Sequence, residues 1–159
     1  AGRQACGQLG QVECAGQAIQ QSKAVEQQRR SQRSHDQVLD CRLRARRVLS
    51  VFQLHGFAPA RFLKEEFLNA FSESLRPEDA LWLPDIYYVG GTAAKDISAA
   101  DYARELTARG LRARNSPRRE DIIGEISSEA RSGDLVLVMG ARDASLSDFA
   151  AQVLASLGS

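Results

Sequence analysis

From Val48 onward, short apolar runs alternate with amphipathic stretches, and this alternation restricts the chain to very few architectures. Parallel neighbours in a sheet cannot be joined by a tight turn, so apolar runs of strand length separated by segments of helix length point to a parallel sheet with crossover helices. Residues 48–53 (VLSVFQ) read as a first buried strand. Residues 61–75 follow as a helix whose apolar face gathers Phe62, Leu63, Phe67, Leu68, Ala70 and Phe71. A second apolar run covers residues 80–88, where Pro84 lacks a backbone donor and should mark the strand's end or an edge.

The pattern then repeats. Ser98 is a suitable N-cap for a helix over 99–109, closed by Gly110, with a short third strand at 111–114. Pro117 opens a helix carrying Ile122, Ile123 and Ile126 to about Ala130, and Gly133-Asp134 turns into a fourth strand at 135–139. Ser145 or Ser147 caps a last helix ending near Leu157. Four strands and four helices in strict alternation define an α/β class: a Rossmann-like three-layer domain with a mainly parallel sheet, preceded by a poorly structured N-terminal segment. Trp82 belongs to its core.

The preceding residues are of another kind. Ten of the twelve glutamines lie between Gln4 and Gln37, and residues 1–50 carry a net +5 against −4 for the remainder. So little large apolar area cannot offset a chain entropy of about 1 to 2 kcal/mol per residue, so residues 1–46 are expected to be disordered or an isolated helix, with 18–30 as the helical stretch. No aromatic residue interleaves Arg29, Arg30 and Arg33, or the arginines of 42–47, to stack on bases, so these read as a solvated basic stretch and no nucleic-acid partner is expected. The near-neutral total of +1 and the lack of a long apolar run give no sign of membrane insertion, and the cytoplasm is the default location. Cys6, Cys14 and Cys41 are odd in number, lack metal-ligand spacing and read as free thiols.

In such a sheet, ligand contacts come from loops beyond the carboxyl ends of the strands. That selects 55–60, 89–97 and 140–145. His55 follows the first strand and Arg61 opens the next helix, so an imidazole and a guanidinium stand within reach of one anion. Each has a plain alternative, His55 as a loop anchor and Arg61 as a solvated helix start. Gly90-Gly91-Thr92 brings backbone amides towards a ligand, but neither G-x-x-x-x-G-K-[ST] nor G-x-G-x-x-G occurs. Lys95 and Asp96 read as a mutual surface pair, Tyr87 and Tyr88 as packing at the rim, and Arg142 and Asp143 as residues delivered by the last strand, with Asp143 facing the ligand. No Ser-His-Asp order, acid/base carboxylate pair or metal cluster can be assembled, so no residue is assigned a catalytic or metal-binding role.

Three of these segments, in this order, resemble a family. Val51-Phe52-Gln53-Leu54-His55-Gly56-Phe57 with Arg61-Phe62-Leu63 is similar to the VFQPHRY strand, loop and helix of Mur-type amide ligases, the nearest being the UDP-N-acetylmuramate:L-alanine ligases. Asp79-Ala80-Leu81-Trp82-Leu83 through Tyr87 and Gly90 resembles their DALILLEVYPAGE segment, and Gly133-Asp134-Leu135 through Asp143 their GDVVLTMGAGD. The resemblance covers 47–159 and implies the carboxy-terminal, amino-acid-binding domain of such a ligase. It also implies the reaction, in which ATP phosphorylates a carboxylate of a UDP-muramoyl substrate and an amino acid, L-alanine in the nearest relatives, attacks the acyl phosphate. ATP and Mg2+ would be held mainly by other domains. By motif position His55, Arg61, Tyr87, Gly90 and Asp143 would be the substrate-binding residues.

The departures bear on specificity. Gly56 and Pro59 stand where the family has arginines, Gly91 replaces an acid and Arg142 a glycine. The DDYAHHP-type segment expected upstream is replaced by KAVEQQRR at 23–30, so the chain reads as a fragment whose first segment is foreign to the family, inactive by itself. A second reading is a stand-alone Rossmann-like module that holds a small molecule near His55, Gly90 and Asp143 without ligase activity. A receiver-like signalling domain is disfavoured, because no acidic cluster follows the first strand.

Overall fold

The computed structural model describes Gln32, Cys41 and residues 44–141 and 143–158. The chain divides into two compact units, Ala1–Arg44 and Ala45–Ser159. In the first, Gln32, Cys41 and Arg44 are helical and Cys41 is an exposed free thiol. Cys6, Cys14, the helix expected over 18–30 and Arg142 lie outside the described residues.

The second unit is built on β1 (Val48–Gln53), β2 (Ala80–Leu83), β3 (Arg112–Asn115) and β4 (Leu135–Gly140), all parallel in the order β3-β2-β1-β4. Its helices are α1 (Phe57–Phe62), α2 (Lys64–Ser74), α3 (Ala99–Ala108), α4 (Arg119–Glu129) and α5 (Leu146–Leu157). Side chains alternate across the pleat. Leu54, Leu81 and Leu83 face a cluster with Leu68, Tyr102 and Leu106 from α2 and α3. Leu49, Val51, Ala80 and Trp82 face the other, with Ile122, Ile126, Phe149 and Val153 from α4 and α5. Each buried Leu, Ile or Phe contributes about 1.5 to 3 kcal/mol relative to exposure. Two covered faces give the three layers, and among the described residues no helix is long and apolar enough to cross a membrane.

Winding reverses at β1. The chain steps from β1 to β2 to β3 with α2 and α3 on one face, then returns past β1 to β4 with α4 on the opposite face. Steps in opposite directions on opposite faces have the same hand, as right-handed crossovers require. The reversal therefore lies between β1 and β4, and an open sheet has its ligand crevice there.

Local differences from the sequence reading have simple causes. The helix expected over 61–75 is two helices that break at Leu63, so the described unit has five helices rather than four. Phe62 is 81% exposed, and Leu63 and Ala70 are exposed as well. At about 100° per residue Phe62 stands more than a quarter-turn from both Phe67 and Leu68, so the assumed apolar face was too wide. β2 stops at Leu83 because Pro84 cannot donate to the ladder; the segment rejoins β1 only at the bridge of His55 to Tyr87. α4 begins at Arg119, two residues after Pro117, whose carbonyl accepts the amide of Asp85 (3.3 Å). Ser98 does cap α3, in a reciprocal box with Asp101, and Trp82 is fully buried.

Two motif aspartates anchor the amino-terminal edge of the sheet. Asp79 accepts from the Val48 amide (2.6 Å) and from the backbone and guanidinium of Arg76 (2.9 to 3.1 Å). Asp134 accepts from Arg46, Arg47 and the Arg131 amide. Arg47 is thus a largely buried clamp rather than part of a solvated basic stretch, while Arg46 pairs with Asp134 from a half-exposed position.

Candidate functional site

A cleft of about 600 Å3 opens at the carboxyl ends of β1 and β4, where the winding reverses. β1 and its extension supply Phe52, Gln53, Leu54, His55 and Gly56. α1 and α2 add Pro59, Ala60 and Phe67, with Leu63 between them; Gly140 and Ala141 close the β4 side and Tyr88, Val89 and Gly90 form the third wall. Most of this lining is apolar, with His55 the titratable exception beside Tyr88.

His55 is held at the cleft by backbone geometry. The Tyr87 amide donates to the Leu54 carbonyl (2.8 Å), the Gly56 amide donates to the Tyr87 carbonyl (2.8 Å), and the His55 and Tyr87 rings lie 5.7 Å apart. Gly56, with φ of 74°, adopts a conformation that a side chain disfavours, and a Cβ there would sit 3.3 Å from the Pro59 ring. The glycine in place of the family's arginine thus goes with a tight turn directly into α1, which leaves only 54–56 between β1 and the helix.

The other residues singled out from sequence are placed differently. Gly90 lines the cleft, and Tyr87 stands behind it as the bridge partner of His55. Arg61 lies outside the lining; its guanidinium donates to both oxygens of Asp96 (2.7 and 2.6 Å), and those hydrogen bonds hold the Asp96 pKa below its usual value. The expected pair of Lys95 with Asp96 is therefore absent. The Lys95 ammonium lies over the rings of Tyr88 (5.5 Å) and Phe57 (5.8 Å) instead.

Asp143 is an anchor in this structure. Its side chain is 2% exposed, accepts from the Ser145 amide (3.0 Å) and hydroxyl (2.6 Å), and pairs with Arg119. Burial alone would raise its pKa, but hydrogen bonds from Ser145 and Arg119 outweigh that and hold it low. Arg119 also donates to Gln53 Oε1 (2.6 and 3.0 Å) and to Ser145 Oγ (2.8 Å), while Gln53 Nε2 donates to the Asp85 carbonyl (2.6 Å). Gln53 thereby ties the irregular segment after Pro84 to β1, and Arg119 joins β1, α4 and the loop after β4. Sequence reasoning passed over both. The available signal was Gln53, a carboxamide at the end of a mostly apolar strand, which must find buried partners.

A doubly wound parallel domain with an apolar cleft at its reversal point is of the Rossmann-like type, a fold class in which small molecules commonly bind at such a crevice. Its sequence is similar to UDP-N-acetylmuramate–L-alanine ligases: 36% identical over 98 residues to that of Anaeromyxobacter dehalogenans strain 2CP-C, covering 62% of this chain and 20% of the relative. The ligase of Pelotomaculum thermopropionicum is 33% identical over 98 residues (61% and 20%), and that of Rickettsia africae 28% over 115 residues (71% and 22%). The resemblance to Mur-type ligases is borne out in the chain's carboxy-terminal portion, and the chain spans about a fifth of the length of these relatives. No protein-family model matches the chain.

Proposed function

We propose that this chain supplies the carboxy-terminal, amino-acid-binding part of an ATP-dependent Mur-type ligase, which joins L-alanine to UDP-N-acetylmuramate in the cytoplasm during peptidoglycan synthesis. The observation that carries the reading is the coincidence of motif and geometry. His55, Gly90 and Gly140 come from three separate ligase-like segments and line one cleft at the reversal point.

The chemistry is acyl transfer. A substrate carboxylate takes the terminal phosphoryl group of ATP, the amine of the amino acid attacks the acyl carbon, and phosphate leaves as the amide forms. An acyl phosphate must be kept from water, and apolar walls such as Phe52, Leu54 and Phe67 suit that task. His55 offers a donor or a proton acceptor to the bound amino acid. Arg61 adds a positive charge when a ligand carboxylate takes the place of Asp96, and Tyr87 and Asp143 orient the walls. Among the described residues no three His, Cys, Asp or Glu side chains converge, and no step here is routed through Mg2+. ATP, Mg2+ and the muramoyl group belong, in this reading, to other parts of a longer enzyme.

The test is replacement. The matching region of a UDP-N-acetylmuramate–L-alanine ligase is exchanged for residues 45–159, and phosphate release is followed with ATP, Mg2+, UDP-N-acetylmuramate and L-alanine. Turnover dependent on all four supports the reading, while the chain alone is expected to release none. A folded chimera that binds ATP and the muramoyl substrate but never turns over would count for a stand-alone binding module.

A further inference from the structure

Beside the cleft, two hydrogen-bond donors remain unspent. The Tyr88 hydroxyl is buried without a partner, and the Lys95 ammonium has no carboxylate within ion-pair distance among the described residues. The acid next to Lys95 in sequence, Asp96, is committed to Arg61. Buried polar groups are nearly always paired, so an orphan next to an unneutralised cation calls for an acceptor that carries negative charge.

Phe57 and Tyr88 meet edge to face at 5.1 Å, and the ammonium of the exposed Lys95 sits over both rings, a contact that favours this position while leaving its N–H groups free to donate. Tyr88 also walls the cleft. The chain passes the hydroxyl as glycine: a Cβ at Gly91 would stand 3.0 Å from the Tyr88 oxygen. A side chain at 91 would therefore crowd out whatever approaches that hydroxyl, and an acidic one would neutralise the neighbouring ammonium.

We propose that Lys95 and Tyr88 form an oxyanion seat at the mouth of the cleft, which takes a carboxylate or phosphate oxygen of a small ligand whose apolar part enters between Leu54 and Phe67. The seat is independent of the ligase reading, because it rests on the two unspent donors.

The sequence has three lysines, Lys23, Lys64 and Lys95, so 13C-lysine labelling of the full chain yields three ε-methylene signals, assigned with Lys95→Gln. Separate arms add inorganic phosphate, L-alanine, and sodium chloride at matched ionic strength. The Lys95 signal should move saturably with phosphate or L-alanine and not with chloride, while Lys64, paired with Glu105, stays in place. A response to L-alanine identifies a carboxylate ligand; a response to phosphate alone identifies a phosphoryl group.

Calorimetry with the responding probe should show affinity falling roughly tenfold to a hundredfold in Lys95→Gln, staying within about threefold in Lys95→Arg, and weakening by about fivefold in Tyr88→Phe. Circular dichroism and an unshifted Lys64 signal establish that each variant is folded. A Lys95 shift that merely follows ionic strength in every arm, the absence of any saturable shift, or undiminished affinity in folded Lys95→Gln would each overturn the seat.

Discussion

The carboxylate of Asp79 accepts the main-chain amide of Val48 at 2.6 Å, so the residue that leads into β2 also holds the first residue of β1. The same carboxylate takes the guanidinium and amide of Arg76, which closes the turn after α2. Burial would raise its pKa, but the hydrogen bonds from Arg76 and Val48 outweigh that and hold it low. Asp79→Asn keeps the shape and loses the charge, and hydrogen bonds to charged groups contribute about 1.5 to 3 kcal/mol, so a loss of about 2 kcal/mol is expected. Urea unfolding should show a lower midpoint at unchanged slope. A midpoint equal to the parent's would show that Val48 and Arg76 find equivalent partners without the carboxylate.

Asp79 and Asp134 also show what was legible in the sequence. Both belong to segments matched to ligase motifs, yet they stand at the amino-terminal edge of the sheet, opposite the cleft, and hold strands rather than substrate. Strand positions were readable because VLSVFQ and ALWL must be buried on both faces. β3, with sequence RARN, was placed one residue early: as an edge strand it is set by pairing with β2 and by Arg112 and Arg114 reaching Glu129, none of which leaves an apolar pattern. The cleft's location followed from the winding rule. The pairing of Arg61 with Asp96, of Asp143 with Arg119 and of Lys95 with Phe57 did not, since each is a long-range contact through a flexible side chain that local spacing cannot encode.

Arg119 and Asp143 should be energetically coupled. Arg119→Leu frees Gln53 Oε1 and Asp143 together, and Asp143→Asn weakens the hold on Ser145. Groups in one network couple by about 0.5 to 3 kcal/mol, so the double variant should be less destabilised than the two single losses added together. A double-mutant cycle by urea unfolding measures this directly. Strict additivity would mean that the two side chains act separately in solution.

The carboxylates predict the direction of pH dependence. Asp101, in the Ser98 box, is lowered to about 2, first by the Ser98 hydroxyl and then by Arg104. Its unfolded value is about 3.9. A depressed folded pKa means that the stabilisation is present above pH of about 4 and is lost as pH falls towards 2. Asp79, Asp134 and Asp143 are also lowered and add in the same direction. Stability should be insensitive to these groups above pH of about 5 and fall below about 4. Asp101→Asn should be less stable than the parent near neutral pH by about 0.5 to 1 kcal/mol, a capping-sized effect, and the gap should narrow as pH falls from about 4 through about 2. A constant gap between the two over that window would assign the effect to shape rather than charge.

Two glycines make opposite predictions from the same substitution. Gly140 pairs in register with Gln53, and a Cβ there would meet Gln53 Cβ at 3.0 Å, the Gln53 carbonyl oxygen at 3.3 Å and Leu146 Cδ1 at 2.6 Å. Leu146 can swing aside, but the Gln53 atoms are fixed by the β1–β4 ladder, so Gly140→Ala must push the strands apart at the cleft. Overpacking of this kind costs about 1 to 3 kcal/mol, and the displaced Gln53 would loosen its bonds to Arg119 and Asp85. Gly124 lies in α4, is exposed, and has no atom within 4 Å of a built Cβ. Gly124→Ala should therefore stabilise by about 0.5 to 1 kcal/mol through helix propensity and a less flexible unfolded chain. Thermal unfolding of both variants under one set of conditions gives the comparison: the melting temperature should drop for Gly140→Ala and rise for Gly124→Ala. A rise for both would mean that β1 and β4 yield freely at Gly140, and that the cleft wall is looser than its hydrogen bonds indicate.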